Sequence, residues 1–459
     1  MPEYSHGLVV LRRDLRLYDH TAMLAASARC ERFTLCFVLD PRQLIPHKWQ
    51  SRRGLAFMQN SLLELHHDLA KMGSGLVILY GEPDIEICDY AKKMHIDALF
   101  INRDYTPFSR KRDHAIHVAC AEQSLPCFWF DDALLHAPDT ILNCHHAPYK
   151  VFTAFYHAAM KMPVTPPQDM DIQNRLTSMP PPSWQQNLKL IHDMDHRTVM
   201  GVNAGRKAGL KQLATMDAWH DYQLRRDIPA LDATTHLSPH LKFGTLSVRE
   251  IYHYIFQHHG EEHPLLRQLY WRDFFTHVAY HTPHVFGHSF LPQFEHIPWQ
   301  NSHTKFQAWC EGKTGFLLVD AGMRELAATG LMHNRVRMVA ASCLVKDLHV
   351  DWRWGESWFA RQLLDYDPAV NNGNWQWVAS TGCDAQPWFR IFNPMLQQKR
   401  FDPKGIYIRR WLPHLREVVD TTLLKWDTKG DASLHPRPIV NHQQATAWIK
   451  EVYRHAAQG

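Results

Sequence analysis

The chain has 459 residues, more than one hydrophobic core usually organises, so we expect two domains. Its 45% hydrophobic and 21% charged residues are ordinary for a globular protein, and no apolar run reaches the ~18 residues of a membrane span. The formal net charge of +4 lies mainly after residue 200, which permits nucleic-acid binding there without requiring it.

The cysteines and the first residues predict a cytoplasmic protein without a metal site. The nine cysteines show no CxxC spacing, and Met1–Gly7 lacks the basic start and apolar stretch of a signal peptide. We therefore expect reduced thiols. Beyond residue 200 the only cysteines are Cys310, Cys343 and Cys383, which excludes a four-cysteine iron–sulfur cluster from that part of the chain.

The first 131 residues predict a doubly wound α/β domain with a parallel sheet. Short apolar runs that read as buried strands are Leu8–Leu11, Phe33–Leu39, Leu76–Tyr80, Ala98–Ile101 and Cys127–Phe130. Between the second and third runs, one helix face is formed by Leu55, Met58, Leu62, Leu65 and Leu69 and is closed by Gly73. No G-x-G-x-x-G fingerprint follows a strand.

The rest of the chain predicts a linker and a helical domain. Residues 132–200 are irregular and proline-rich, which indicates a connector rather than a packed element. From residue 201 to 459 strand patterns disappear, and helical stretches such as Val248–Gln257, Leu265–Tyr280 and Arg335–Leu348 follow. The predicted fold class is therefore α/β followed by all-α.

Three segments of the helical domain carry unusual chemistry. Thr234–Ser238 places hydroxyls before a helix, which suits either a helix cap or a cradle for phosphate. The other two are Leu269–Phe275, with Arg272 among aromatic residues, and Met332–Met338 followed by Asp365–Asp367 and Asn371–Trp377. Polar groups this dense in a helical core need partners, and a buried polar ligand would supply them.

These segments resemble the photolyase/cryptochrome family, and most closely its class I cyclobutane pyrimidine dimer photolyases. Leu11–Arg16 is similar to the opening strand and loop of the family, and the stretch from Trp375 to Pro394 is similar to its C-terminal signature. The resemblance implies a Rossmann-like N-terminal domain, a linker and a helical domain that binds FAD, working as reduced FADH⁻. It also implies blue-light repair of UV-damaged DNA by electron transfer to a flipped-out dimer.

The same resemblance assigns cofactor positions. Contacts to the FAD phosphates and sugars correspond to Tyr222, Thr234, Thr235, His236, Leu237 and Ser238. The surroundings of the flavin ring correspond to Asp365, Tyr366, Asp367 and Asn371, and Arg337 corresponds to an arginine that pairs with Asp365. An anionic reduced flavin needs a nearby cation, and a buried arginine needs a carboxylate.

Tryptophans and DNA contacts are assigned in the same way. Trp299, Trp352 and Trp375 match a chain that relays electrons from the surface to the flavin, although each is also a plausible packing residue. Trp271 and Trp377 match the aromatic walls of the lesion pocket, where stacking gains roughly 1–3 kcal/mol per base. Further DNA contacts match Arg226, Arg335 and Gln397. We expect a monomer without an obligate protein partner.

One position departs from the expected lesion site. Cyclobutane-dimer photolyases usually carry a glutamate where this chain has Gln268, and glutamine there is typical of (6-4) photolyases and animal-type cryptochromes. An amide donates a hydrogen bond but supplies no proton. However, (6-4) enzymes place two histidines at the positions of Asn334 and Met338. Asn334 and Met338 fit the cyclobutane-dimer pattern and only Gln268 departs from it, so the cyclobutane dimer is favoured as substrate.

Alternatives remain at the level of sequence. A cryptochrome-type photoreceptor agrees with Gln268, but the family resemblance extends to about Asn441, which leaves little room for a signalling tail. A flavoprotein oxidoreductase would need a nicotinamide or substrate site that the sequence does not display. In the antenna loop Asn102–Ser109, the acidic residue used by folate-binding relatives is Ser109. The second chromophore could therefore be a deazaflavin, another flavin or none.

Overall fold

The computed structural model describes residues 2–178, 187–192 and 201–458. Over these ranges the chain packs into two compact units. The first comprises Met1–Ala218 and Thr235–Pro283, and the second comprises Trp219–Thr234 and His284–Gly459. These packing units divide the chain differently from the predicted domains 1–131 and 201–459, whose boundaries stay a prediction.

The first unit is built on a five-stranded parallel sheet in the order β3-β2-β1-β4-β5. The strands are β1 Tyr4–Leu11, β2 Cys30–Leu39, β3 Leu76–Tyr80, β4 Ala98–Asn102 and β5 Cys127–Phe130. All five predicted strands are confirmed. Two begin earlier than predicted, because the first residues of β1 and β2 pair in the ladder while partly exposed to solvent.

The chain adds β2 and β3 on one side of β1 and then β4 and β5 on the other side, so the strand order reverses beside β1. In open α/β sheets this switch point lies where ligands usually approach the carboxyl edge. Helices of the first unit are Thr21–Arg29, Pro41–Leu44, Arg52–Lys71, Pro83–Lys93, Pro107–Glu122, Phe152–Ala159, Leu188–His192, Arg206–Ala214, Ser238–Phe243, Val248–His259 and Pro264–His281.

The helix Arg52–Lys71 has a buried face that differs slightly from the predicted one. Ser51 caps it by accepting the N–H of Gly54, and Leu62, Leu65 and Leu69 are buried as expected. In its first turns, however, Phe57 faces inward instead of Leu55 and Met58. The Phe57 ring stacks 5.1 Å from that of Phe243. This contact with a distant segment of sequence determines the buried face of those turns.

Part of the predicted connector is packed structure. The helix Phe152–Ala159 buries Phe152, Phe155 and Ala159, which are spaced three and four residues apart as on one helix face. The expectation of an irregular linker was wrong here, because the surrounding prolines obscured a short amphipathic helix. Residues 179–186 and 193–200 of the predicted linker lie outside the described residues.

A buried ionic cluster ties the helix Val248–His259 to the sheet. Arg249 pairs with Asp19 at 3.0 Å and with Asp132 at 2.9 Å, and Arg16 pairs with Asp132 at 2.6 Å. Burial alone would raise the pKa of Asp132, but Arg16, His20 and Arg249 hold that pKa far below its usual value. Because a buried charge must be paired, this cluster anchors Val248–His259 in the first unit.

Helices are the only regular secondary structure in the described residues of the second unit, as predicted. Its helices are Tyr222–Arg225, His303–Cys310, Leu317–Thr329, Asn334–Ser342, Trp352–Gln362, Pro368–Ala379, Pro394–Phe401, Ile406–Trp411, Asp420–Leu423, Trp426–Lys429 and His442–Gln458. The helix Asn334–Ser342 continues into a π-helical turn, Cys343–Asp347. The core of the second unit contains Trp309, Leu344 and Trp352, all fully buried. In the described part of the chain, no helix combines the length and apolarity that crossing a membrane requires.

Candidate functional site

An ion pair joins the helix Asn334–Ser342 to the turn before the helix Pro368–Ala379 in the second unit. The Arg337 guanidinium contacts the Asp365 carboxylate at 3.1 Å, and its Nε donates to the carbonyl of Met332 at 2.7 Å. The Asp365 side chain is nearly buried, whereas the arginine keeps 27% of its side-chain surface exposed. The predicted pairing of these two residues is confirmed; the predicted neighbourhood of a flavin stays a prediction.

The helix Pro368–Ala379 carries several predicted cofactor residues in fixed positions. Asp367 caps it by accepting the N–H groups of Ala369 and Val370 at 3.0 and 3.2 Å, and Pro368 occupies the first turn. Asn371 is buried, and its side-chain amide donates to the Glu356 carbonyl at 3.1 Å. This bond orients the Asn371 amide. Beside the cap, burial raises the pKa of Tyr366 well above its ordinary value.

A polar network behind Asn371 was missed by sequence analysis. Asn372 donates to the Glu356 carboxylate at 2.8 Å, and Gln376 donates to the Asn372 side-chain oxygen at 3.0 Å. Asn372 and Gln376 are four residues apart, so they lie on one helix face. That spacing was visible in the sequence, but their partner Glu356 carried no signal. The network satisfies buried polar groups that would otherwise be costly.

Trp375 lies in the core of the second unit with 2% of its surface exposed. Its ring is 5.0 Å from the ring of Phe359 and 6.1 Å from that of Trp309. At Gly355, a Cβ atom would come within 2.1 Å of the Trp375 ring, so only glycine allows this helix to approach so closely. The indole is therefore held in one position.

The other two predicted relay tryptophans belong to the same core. Trp352 is fully buried, and the partly exposed Trp299 packs against the core. The indole nitrogens of both are buried without a hydrogen-bond partner in the described residues. Burial therefore decreases from Trp375 and Trp352 to Trp299, the order expected of a path that ends near the surface. A purely structural role predicts the same burial, so the relay stays a prediction.

The helix Asn334–Ser342 begins with three predicted lesion or DNA residues. Asn334 is exposed, and its amide lies 3.8 Å from the Met338 sulfur. Arg335 pairs with Asp227 at 3.0 Å, and its guanidinium lies 4.6 Å from the centre of the Phe401 ring. Asp227 is a partner that no sequence pattern indicated.

The residue before this helix is a neutral histidine. The His333 side chain accepts the N–H of Arg335 and thereby caps the helix. Burial lowers the pKa of His333 to about 4, helped by the nearby Arg335 and Arg337. At physiological pH the ring is therefore uncharged and adds no repulsion to the two arginines.

The remaining predicted residues of the second unit are spread over its helices. Tyr222 is buried, its ring stacks on Trp219 at 5.8 Å, and the Arg226 guanidinium lies 5.7 Å from the tyrosine ring. Trp377 is half-buried against the core. The side-chain oxygen of Gln397 is buried with no partner in the described residues, so it has the capacity to accept a hydrogen bond from a ligand.

The hydroxyl segment falls at a boundary between units, with Thr234 in the second and Thr235–Ser238 in the first. Thr235 Oγ1 accepts the N–H of Leu237 at 3.4 Å, and His236 has a left-handed backbone with φ of 49°. Leu237 is buried, while Thr235 and His236 are half-buried and Ser238 is exposed. The helix Ser238–Phe243 has Leu237 at its N-cap and no side-chain cap bond, so the predicted cap is wrong and the phosphate cradle stays a prediction.

The helix Pro264–His281 of the first unit carries Gln268 and Trp271, both half-buried. The Trp271 ring stacks on Phe152 with 3.6 Å between centroids and 7° between planes. Arg272 turns away from this stack, since its guanidinium donates to the Ala133 carbonyl at 2.6 Å. No sequence pattern marks Phe152, because it lies in the predicted connector. Gln268 and Trp271 thus lie in one unit, and Asn334, Met338 and Trp377 lie in the other.

Asp273, on the same helix, should make the free energy of unfolding depend on pH. Burial raises its pKa to about 7, opposed by Arg272 and by the N–H of Leu135, which it accepts at 2.8 Å. The folded state therefore retains a proton that the unfolded chain releases near pH 4, and the free energy of unfolding falls as pH rises from about 4 to about 7. Asp273→Asn should abolish this fall and gain about 2 kcal/mol relative to the parent between pH 5 and pH 8.

Urea unfolding at both pH values measures this difference. Asp89→Asn, at an exposed carboxylate of the same unit, is the control and should show no such change. An Asp273→Asn variant whose stability follows that of the parent across this range would show that Asp273 is ionised throughout.

The donor groups suit a flavin dinucleotide. The second unit provides a cation paired with a carboxylate, a fixed buried amide and a tyrosine, and the segment 234–238 provides hydroxyls before a helix. Cation and amide suit the anionic reduced ring, and hydroxyls with a helix start suit phosphates. A protein with an α/β unit, a helical unit and this chemistry is a flavoprotein of the photolyase/cryptochrome type.

Comparison with known families identifies the family within that class. Residues 8–171 match the family model for DNA photolyase, and residues 265–455 match that for the FAD binding domain of DNA photolyase. The chain belongs to the DNA photolyase family. It is accordingly a DNA-repair enzyme with FAD as cofactor and DNA as partner.

Individual relatives agree over nearly the whole chain. The deoxyribodipyrimidine photo-lyase of Salmonella typhimurium is 38% identical, covering 98% of this chain and 99% of the relative. An archaeal photolyase from Sulfolobus tokodaii, solved with two FAD molecules, is 40% identical with a TM-score of 0.89, covering 98% of this chain and 100% of that one. A Synechocystis cryptochrome is 29% identical with a TM-score of 0.86, covering 98% and 99%.

Proposed function

We propose that this protein repairs cyclobutane pyrimidine dimers in DNA under blue light. The observation that carries the proposal is the start of the helix Asn334–Ser342, where the exposed Asn334 amide lies beside Met338 and next to Arg335, three residues that the resemblance assigns to the lesion or to DNA. Relatives named deoxyribodipyrimidine photo-lyase support it, and a cryptochrome-type receptor is not favoured. When bound, reduced FAD supplies the light-driven electron for cleavage of the dimer.

Two sets of side chains in this protein would hold the cofactor, one at the flavin ring and the other at the phosphates and sugars. Arg337, kept in place by Asp365 and by the Met332 carbonyl, would supply the positive charge that an anionic flavin ring needs. Asn371, oriented by the Glu356 carbonyl, would contact the ring together with Tyr366 and Asp367. Contacts to phosphates and sugars fall to Tyr222, Thr234, Thr235, His236, Leu237 and Ser238.

Three tryptophans are proposed to carry electrons inward from the surface. Trp299 is the partly exposed entry, and Trp352 and Trp375 are the buried steps. Two features are compatible with this role. The indole nitrogens of Trp299 and Trp352 make no hydrogen bond in the described residues, and the Trp375 ring is held by Gly355 in one orientation. A fixed ring needs little reorganisation when it gains or loses charge.

The residues that the resemblance assigns to the lesion are proposed to bind damaged DNA. Trp271 and Trp377 would stack against the flipped-out bases, and Gln268, Asn334 and Met338 would contact their edges. Arg226, Arg335 and Gln397 would bind the DNA around the lesion. The unpartnered oxygen of Gln397 supports a ligand contact at that position.

A repair assay tests the substrate and the role of Gln268 together. Photoreduced protein under blue light should restore dimer-containing oligonucleotides and leave (6-4) photoproducts unrepaired. Gln268→Glu should speed dimer repair roughly fivefold, the equivalent of about 1 kcal/mol, because a protonated carboxyl donates a proton as well as a hydrogen bond. That gain requires burial to raise the carboxyl pKa enough to keep it protonated.

Gln257→Glu, at an exposed position in the same unit, makes the same substitution at a residue not assigned to the lesion and should leave repair unaltered. Repair of (6-4) lesions would show that the substrate is the (6-4) photoproduct and not the cyclobutane dimer. Failure on both lesions by fully reduced protein would favour the photoreceptor. A Gln268→Glu rate equal to the parent's would remove only the proposed role of Gln268.

The second chromophore is proposed to be another flavin. The Sulfolobus tokodaii relative was solved with two FAD molecules and is 40% identical to this chain. In the antenna loop, Ser109 is buried and donates to Asp104 at 2.9 Å, so this position is engaged within the loop. Protein reconstituted with excess FAD should retain about two flavins per chain after gel filtration, compared with one if the antenna site takes another group.

The protein is further proposed to act as a cytoplasmic monomer. All nine cysteines are free thiols, which supports a reducing compartment. Light scattering of purified protein over a range of concentrations tests the monomer, which predicts a constant mass near 53.6 kDa.

A further inference from the structure

The stack of Trp271 on Phe152 has an uncommon geometry. With centroids 3.6 Å apart and planes within 7°, the two rings overlap almost completely. Aromatic pairs usually prefer offset or edge-to-face arrangements, with centroids roughly 4.5–7 Å apart, because face-to-face overlap opposes like regions of the two quadrupoles. An arrangement that the pair itself does not prefer must be imposed by the surroundings.

The neighbouring rings impose it. Phe274 is fully buried and meets both partners nearly at right angles, 5.7 Å from Phe152 at 77° and 5.8 Å from Trp271 at 83°. Phe275 lies 5.4 Å from Trp271, with 32° between the ring planes. Phe152 itself is only 1% exposed, whereas Trp271 keeps part of its surface open to solvent. The Trp271 indole is thus packed against three other aromatic rings.

A cation also lies against this group. The Arg267 guanidinium is 5.3 Å from the Phe152 ring centre and 5.2 Å from that of Tyr156. Arg267 precedes Trp271 by four residues on the same helix, so both side chains belong to one face of Pro264–His281. An exposed positive charge against Phe152, the ring on which Trp271 stacks, suits a polyanionic ligand.

We infer that Phe152 is a positioning residue for Trp271 and sets the plane on which a damaged base stacks. This inference rests on the proposed function, in which Trp271 is a wall of the lesion pocket. Binding a flat base to a ring that is already fixed avoids the entropy of ordering that ring during association. Without Phe152, the indole would have to be ordered by the DNA itself.

Phe152→Leu and Phe152→Met test the inference, since both keep an apolar side chain and remove the flat ring. In the dark, each should weaken binding of dimer-containing oligonucleotide about 3- to 10-fold, the effect of ordering one side chain. Affinity for undamaged oligonucleotide and the repair rate at saturating DNA should stay unchanged. Phe152→Tyr keeps the ring and should restore parental discrimination. Fluorescence anisotropy gives both affinities, and flavin content with thermal unfolding identifies correctly folded variants.

Phe155→Leu is the matched control. Phe155 is equally buried on the same helix, but its ring contacts Phe274 and His277. Phe152→Leu and Phe152→Met variants that discriminate damaged from undamaged DNA as well as Phe155→Leu would overturn the positioning role. Trp271→Ala distinguishes a failure of the proposed lesion pocket from a failure of the positioning role of Phe152. If Trp271→Ala retains discrimination, the proposed lesion pocket itself is wrong; if it loses discrimination and the Phe152 variants do not, only the positioning role is wrong.

Discussion

Trp375→Phe is expected to retain FAD and to lose most photoreduction with an external donor. Phenylalanine keeps an aromatic ring beside Phe359 but leaves empty part of the space that the indole fills beside Gly355, so the variant should lose some thermal stability and still fold. Phenylalanine is much harder to oxidise than tryptophan, so electron transfer through this position should slow by more than about tenfold, equivalent to a barrier higher by about 1.4 kcal/mol. Absorbance of the flavin during illumination measures the rate.

Trp309→Phe is the matched control, because Trp309 is buried in the same core and its ring is 6.1 Å from that of Trp375. Its indole donates to the Ala340 carbonyl, which suits a structural role. The control should lose some thermal stability and keep parental photoreduction. Equal photoreduction by Trp375→Phe and the parent would mean that electrons enter by another route.

Arg337→Ala is expected to abolish stable FAD binding. It would leave the Asp365 carboxylate, which is nearly buried, without its cation, and breaking such a pair typically costs about 3–5 kcal/mol. If most of that cost falls on the flavin-bound state, affinity for FAD drops by about a hundredfold or more. Arg337→Lys should recover only part of it, because an ammonium group does not reproduce the planar contacts with Asp365 and Met332.

Arg335→Ala, two residues away, provides the comparison. Arg335 pairs with the more exposed Asp227, so its loss should leave flavin content unchanged and weaken binding of damaged DNA more than undamaged DNA. Flavin absorbance per protein after gel filtration, with binding titrations at two salt concentrations, distinguishes the two arginines. An Arg337→Ala protein that retains full flavin content would remove Arg337 and Asp365 from the proposed cofactor site.

Much of the fold could be predicted from local patterns. The five strands are continuous apolar runs of a sheet covered on both faces, and that pattern does not depend on distant contacts. The helix Val248–His259 has capping by Ser247 and ends at Gly260, both visible in the sequence. The pairing of Arg337 with Asp365 came from family resemblance rather than from spacing, because 28 residues separate them.

Other features were decided only by the tertiary structure. Phe152 lies in a proline-rich stretch, and its role depends on a tryptophan 119 positions later in the chain that packs on its face. Asp227, Glu356 and Gly355 carry no motif, yet they hold Arg335, the Asn372–Gln376 network and Trp375 in place. The sequence by itself determined the elements, the family and the types of chemical group. Side-chain orientation and partner choice required the folded chain, because both depend on close packing between segments far apart in sequence.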